Sequence, residues 1–151
     1  KKYRCTAPNH TSKSKRIISY TISLQDRIPL LIMERKYTWH KIADHINELD
    51  FSANNIAVIE LKGKKICVGK HHEAAFAFAY KCPHAGGIMA DGYIDALGNV
   101  VCPLHRYKYN MENGRNVSGE GYYLKHWPVE LREEGVFVGM EESSGLWNIF
   151  R

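Results

Sequence analysis

The sequence predicts a mainly β protein, and three observations carry that prediction. From Trp39 onward, runs of four to six residues rich in Ile, Val, Ala, Phe and Tyr alternate with short Gly-, Asn- and Asp-containing turns. Helical periodicity is confined to one stretch, Trp39 to Leu49, where Ile42, His45, Ile46 and Leu49 fall at helical spacing. Two loops of unusual chemistry, Cys82-Pro83-His84 and Cys102-Pro103-Leu104-His105, interrupt the β-type runs.

Taken in order, residues 1–36 read as a basic N-terminal extension, either disordered or upstream of the native start, with Met33 as the candidate initiator. They have no long apolar run of the secretory type, although a mitochondrial-type presequence would share their composition. The domain is expected over 37–139. Ile56–Leu61 and Lys65–Gly69 flank a Lys62-Gly63-Lys64 turn as a first hairpin, and Ala75–Tyr80 follows. Gly92–Asp95 and Asn99–Cys102 flank Ala96-Leu97-Gly98 as another, and Tyr107–Met111 ends at Asn113-Gly114. Lys125–Arg132 and Gly135–Gly139 close the set around Glu133-Glu134, leaving 140–151 as a tail. Strands this short at this spacing suggest a barrel or several small sheets.

Bulk properties exclude several functions. At 151 residues the chain has room for one domain with a sizeable core. Its apolar runs, such as Ile28 to Met33, are far short of a membrane span, so no membrane insertion is expected. The net charge of +5 suggests nucleic-acid binding until it is divided along the chain. Residues 1–36 carry nine Lys/Arg against two Asp/Glu, whereas the rest carries twelve against fourteen. The domain is therefore mildly acidic, and no nucleic-acid partner is expected.

Chemistry concentrates in the two loops. Each sets one soft thiolate and one imidazole on a tight turn, with 17 residues between His84 and Cys102. Cys82, His84, Cys102 and His105 are thus candidate metal ligands. A two-iron, two-sulfur cluster and a Cys2His2 zinc ion both accept such a set. Zinc fingers usually pair like with like, whereas each loop here offers one of each kind, which favours the cluster. Two imidazoles in place of two thiolates make the site less negative and raise its potential relative to an all-cysteine cluster. Pro83 and Pro103 stiffen the loops, and Gly86 and Gly87 allow close approach of backbone to the site. Thiolate ligation points to a reducing compartment, so a cytoplasmic location is expected.

The motif pair resembles that of the Rieske [2Fe-2S] ferredoxin-type domains: Cys-x-His, a gap of 15 to 17, then Cys-x-x-His, with Gly86 and Met89 after the first motif and Tyr109 and Gly114 after the second. The resemblance covers roughly 37–139. It implies three small antiparallel sheets, with the motifs at the tips of two cluster-binding hairpin loops. It also implies one [2Fe-2S] cluster, with Cys82 and Cys102 on the inner iron and His84 and His105 on the outer one. High-potential members bridge the loops with a disulfide; Gly87 and Leu104 stand at the corresponding positions, which places this chain in the low-potential, ferredoxin-like branch. Arg106 replaces the usual glycine after the second histidine.

The function so implied is a Rieske-type ferredoxin, not itself an enzyme, that carries single electrons between a reductase and an oxygenase or other acceptor. Such a carrier is expected to be monomeric. The alternative is a small Rieske-like subunit of a multi-chain reductase of the nitrite reductase type. Cys67 is expected to be a small buried apolar residue, and His71 and His72 solvated. Tyr107, Tyr109, Tyr122 and Tyr123 are open between core packing and shielding of the site.

Overall fold

Runs of β-branched and aromatic residues build ten strands in the computed structural model, which describes residues 36–119 and 121–141. They are β1 (Tyr37–Ala43), β2 (Ile56–Leu61), β3 (Lys64–His71), β4 (Ala74–Ala79), β5 (Tyr93–Ile94), β6 (Asn99–Val101), β7 (Lys108–Asn110), β8 (His126–Trp127), β9 (Val129–Arg132) and β10 (Gly135–Glu141). Three antiparallel sheets result, ordered β1-β10-β9, β2-β3-β4-β8 and β5-β6-β7. The expectations for 1–35 and for 142–151 lie outside the described residues.

The central strand β3 explains how the layers meet. Ile66, Cys67, Val68 and Gly69 are all buried, so both of its faces are covered. Cys67 packs with Ile56, Phe78, Val100, Tyr109 and Met111 in the largest apolar cluster, which also contains Cys82 and Cys102. Val68 and Ile66 pack on the opposite side, in clusters that include Ile42 of β1. Gly69 is small for a reason: a Cβ there would lie 2.8 Å from Met111 Sδ and 3.1 Å from Ile94 Cδ1. Any side chain would push the third sheet off the second.

Two expectations are corrected. The stretch Trp39–Leu49 is not helical. Its first part is β1, paired through Trp39 with Gly139 and through His40 with Val138, and only Ile46–Glu48 forms a single 3-10 turn. The cross-strand hydrogen bonds to β10 and the aromatic and β-branched residues Tyr37, Thr38 and Trp39 outweigh the local helical period. The period nevertheless picked out core residues, since Ile42, Ile46 and Leu49 share one cluster. The expected strand Lys125–Arg132 is likewise two strands in different sheets. Pro128 offers no N–H to a ladder, and the chain crosses there from the second sheet to the first, with Gly139 donating to the Pro128 carbonyl at 2.9 Å.

The β5–β6 hairpin is pinned by one carboxylate. Asp95 accepts from the backbone N–H groups of Leu97 and Asn99, both at 3.0 Å, from the Asn99 amide at 3.1 Å and from Lys108 at 3.3 Å. Burial would raise its pKa, but these donors outweigh it and hold the carboxyl below its ordinary value.

Candidate metal centre

Cys82 and Cys102 each open a loop closed by the same two hydrogen bonds. Cys82 N–H donates to Gly87 O at 2.8 Å and Gly86 N–H to Cys82 O at 2.9 Å; Cys102 N–H donates to Tyr107 O at 2.9 Å and Arg106 N–H to Cys102 O at 3.0 Å. The fifth residue of each turn, Gly86 in one and Arg106 in the other, is left-handed, at φ 71° and 58°. Glycine suits that conformation, and arginine adopts it at a cost of about 1 kcal/mol. Outside the loops, the β-bridge of Lys81 with Ile88, the Met89 N–H to Tyr80 O bond at 2.8 Å and the Asn54 amide on Ala90 O and Gly92 O at 2.7 and 2.8 Å anchor the first loop.

The loops bring the candidate ligands together as two pairs, thiol with thiol and imidazole with imidazole, and sort them by depth. Cys82 and Cys102 are 4% and 2% exposed, His84 is partly buried and His105 is exposed. The two imidazole rings lie 4.7 Å apart between centroids. Burial raises the Cys102 thiol above its ordinary pKa and the neighbouring Cys82 thiol adds to the rise, while the backbone N–H groups of Leu104 and His105 oppose it. Those two donors point at the Cys102 sulfur and would stabilise negative charge on it.

Four tyrosines divide their roles. Tyr109 is fully buried and its hydroxyl lies 3.4 Å from Cys82 Sγ. Burial, reinforced by Cys82, keeps that hydroxyl protonated far above the usual range, so it donates to a Cys82 thiolate. Tyr107 and Tyr122 stack at 5.9 Å and flank His84, with ring centroids 4.6 and 5.0 Å from it. Tyr123 turns away and contacts His126 Nδ1 at 3.2 Å. Cys67 is fully buried, with its thiol pushed up to about 12 by burial, and is an inert core residue. His71 and His72 sit at the β3–β4 turn, ring against ring at 4.1 Å; His72 is exposed and His71 half-buried beside Gly98.

A cluster needs space as well as ligands, and Gly87 provides it. A Cβ at this position would lie 2.9 Å from Cys102 Sγ and 3.2 Å from Leu104 Cβ. The cradle between the loops is therefore kept open by a hydrogen in place of a methyl. The same geometry puts positions 87 and 104 side by side, as the resemblance implied for the disulfide of high-potential members; here they are glycine and leucine. No three His, Cys, Asp or Glu side chains among the described residues converge on one point, as a single ion requires. Thiols grouped inside and imidazoles outside fit two irons with two ligands each.

The profile of the Rieske [2Fe-2S] domain matches residues 38–125. The chain belongs to that family. A Rieske [2Fe-2S] domain carries one two-iron, two-sulfur cluster, so that cluster is the cofactor of this chain. Among curated relatives, the ferredoxin component of the alkene monooxygenase system of Xanthobacter autotrophicus is 21% identical over 84 residues, spanning 56% of this chain and 69% of the relative. Among solved structures, the ferredoxin of carbazole 1,9a-dioxygenase from Nocardioides aromaticivorans superimposes with a TM-score of 0.58 at 16% identity, covering 70% of this chain and 99% of that one. A protein described as an NADH-dependent nitrite reductase small subunit from Mycobacterium tuberculosis superimposes with a TM-score of 0.61 at 16% identity, covering 71% and 98%. At such identities the structural likeness shows the Rieske fold, with its three small sheets.

Sequence reasoning missed the supports of this Rieske site. Asn54 reaches across 38 residues to Gly92 O, and no local pattern marks it. The left-handed backbone at Arg106 was readable only as a departure from a glycine.

Proposed function

We propose that this Rieske domain is a single-electron carrier in which Cys82 and Cys102 hold the inner iron and His84 and His105 the outer one. The observation that carries this reading is the depth sorting: buried thiols beneath, imidazoles at the rim, on two loops with matching hydrogen bonds. When bound, the cluster supplies one-electron redox chemistry. The chain does the rest. Gly87 keeps the space between the loops open, and Tyr109 donates to the Cys82 sulfur. Tyr107 and Tyr122 cover His84, which leaves exposed His105 as the edge that a redox partner meets.

The partners fitting this role are a reductase as donor and an oxygenase or other acceptor, and the named relatives that are ferredoxins of oxygenase systems support it. The carrier acts as a monomer in the cytoplasm. No helix among the described residues is long and apolar enough to cross a membrane. Without a disulfide across Gly87 and Leu104, the midpoint potential lies toward the low end of the Rieske range, around −150 mV. A midpoint above about +100 mV would overturn that assignment. Cys82→Ser or Cys102→Ser abolishes cluster assembly on this account; retention of a full visible spectrum in either variant would refute the ligand set.

A second reading, a Rieske-like subunit of a larger reductase, is supported by the likeness to the nitrite reductase small subunit. Purification separates the two. A carrier comes away alone, whereas a subunit copurifies with a larger flavin or sirohaem chain.

A further inference from the structure

At the ends of β3, β4 and β8 lies a cleft of about 470 Å³ that the candidate ligands do not line. Its rim carries four lysines, Lys64, Lys65, Lys81 and Lys125, all exposed, and its floor is apolar, with buried Ile66 below and Tyr80 and Trp127 at the sides. None of the four forms an ion pair with a carboxylate of the described residues, although Glu60 stands opposite Lys65 in the ladder. Two are held in place by rings instead: Lys65 Nζ lies 5.9 Å from the Tyr80 ring centroid and Lys125 Nζ 5.5 Å from that of Trp127. A chain whose residues beyond 36 sum to −2 thus concentrates four uncompensated positive charges around one apolar hollow.

We infer that this cleft docks an acidic protein segment bearing an apolar side chain. Lysines resting on aromatic rings lose little further freedom when a carboxylate arrives, and their stems already cover apolar surface. The apolar floor gives a place for one side chain between the charges, which a purely electrostatic patch would lack. A planar small-molecule anion fits less well, because the ammonium groups occupy the faces of both rings it would stack on. Lys64 and Lys65 stand at the start of β3, Lys81 follows β4 and Lys125 precedes β8, a spread suited to an extended chain. Because the ligand loops lie outside the cleft, the inference stands or falls separately from the electron-carrier reading.

The test uses the cluster-loaded full chain and a fluorescein-labelled peptide of about twelve residues alternating Glu with Phe, read by anisotropy at low salt and again near 0.3 M, where charge attraction is screened within about 6 Å. Lys64→Glu, Lys65→Glu and Lys125→Glu are combined in one variant, with Lys81 left unchanged because it precedes Cys82. A control variant carries the same charge change at Lys36, Lys41 and Arg115, and a third has Gln at 64, 65 and 125. The visible spectrum reports separately whether each variant keeps its cluster. Binding weakened at least about tenfold by the Glu variant, less by the Gln variant and hardly by the control supports the cleft. Absence of binding to the wild type, equal weakening by the control, or tighter binding of ADP or pyrophosphate than of the peptide overturns it.

Discussion

Replacing Tyr109 with Phe isolates one hydrogen bond at the metal centre. The ring is fully buried in the main core, so the substitution keeps its packing and removes only the hydroxyl that lies 3.4 Å from Cys82 Sγ. A hydrogen bond to a charged acceptor contributes about 1.5–3 kcal/mol. The reduced site is one unit more negative, and the bond strengthens with that charge; a gain of about 1 kcal/mol on reduction is a fair fraction of the total. For a one-electron couple, where 1.4 kcal/mol corresponds to 59 mV, the loss lowers the midpoint by about 40 mV. A potentiometric titration followed by visible spectroscopy measures it, with ligand identity checked by the unchanged line shape of the oxidised spectrum. An unchanged or raised midpoint would show that the hydroxyl does not donate to the Cys82 sulfur.

Three further outcomes follow from the backbone and core. Gly87→Ala places a methyl 2.9 Å from Cys102 Sγ and should lower the iron bound per chain while leaving the far-ultraviolet spectrum unchanged; full iron loading would contradict the cradle. Arg106→Gly relieves about 1 kcal/mol of left-handed strain at φ 58°, offset by roughly 0.4–1 kcal/mol of added unfolded-state entropy, for a net stabilisation of at most about 0.5 kcal/mol in urea unfolding, and a clear loss of stability would refute it. Asp95→Ala removes the acceptor for Leu97, Asn99 and Lys108 and should cost about 2–3 kcal/mol. Because the folded-state carboxyl is held below its ordinary 3.8, Asp95 stabilises the fold fully above that pH and progressively less as pH falls below it. The difference between wild type and Asp95→Ala should therefore shrink from about pH 4 downward, and a constant difference would count against the assignment.

How much of this was legible in the sequence depends on the range of the interaction. Hairpins closed by short turns were readable because both partners lie within a few residues, as with Lys62-Gly63 and Ala96-Leu97-Gly98. The four candidate ligands were readable because their chemistry is rare and their spacing short. The failures sit where distant pairing overrides local pattern. Trp39–Leu49 carries a helical period, yet its partner strand lies about a hundred residues away, and the ladder with β10 decides its conformation. Pro128 marked a break that the continuous β-type run around it concealed, and which sheet each half joins is set by packing. Tyr107, Tyr109, Tyr122 and Tyr123 were indistinguishable by composition; only the fold assigns one to a sulfur, two to a histidine and one to His126. Arg106 is the instructive case, since an unexpected residue type pointed to the position but not to the left-handed turn that makes it matter.

Electron paramagnetic resonance of the reduced protein tests the central claim most directly. Two imidazole and two thiolate ligands predict a low average g with hyperfine couplings from two histidine nitrogens, one of which disappears in His84→Cys and the other in His105→Cys. A colourless protein holding zinc and giving no signal, or a reduced cluster without nitrogen couplings, would contradict it.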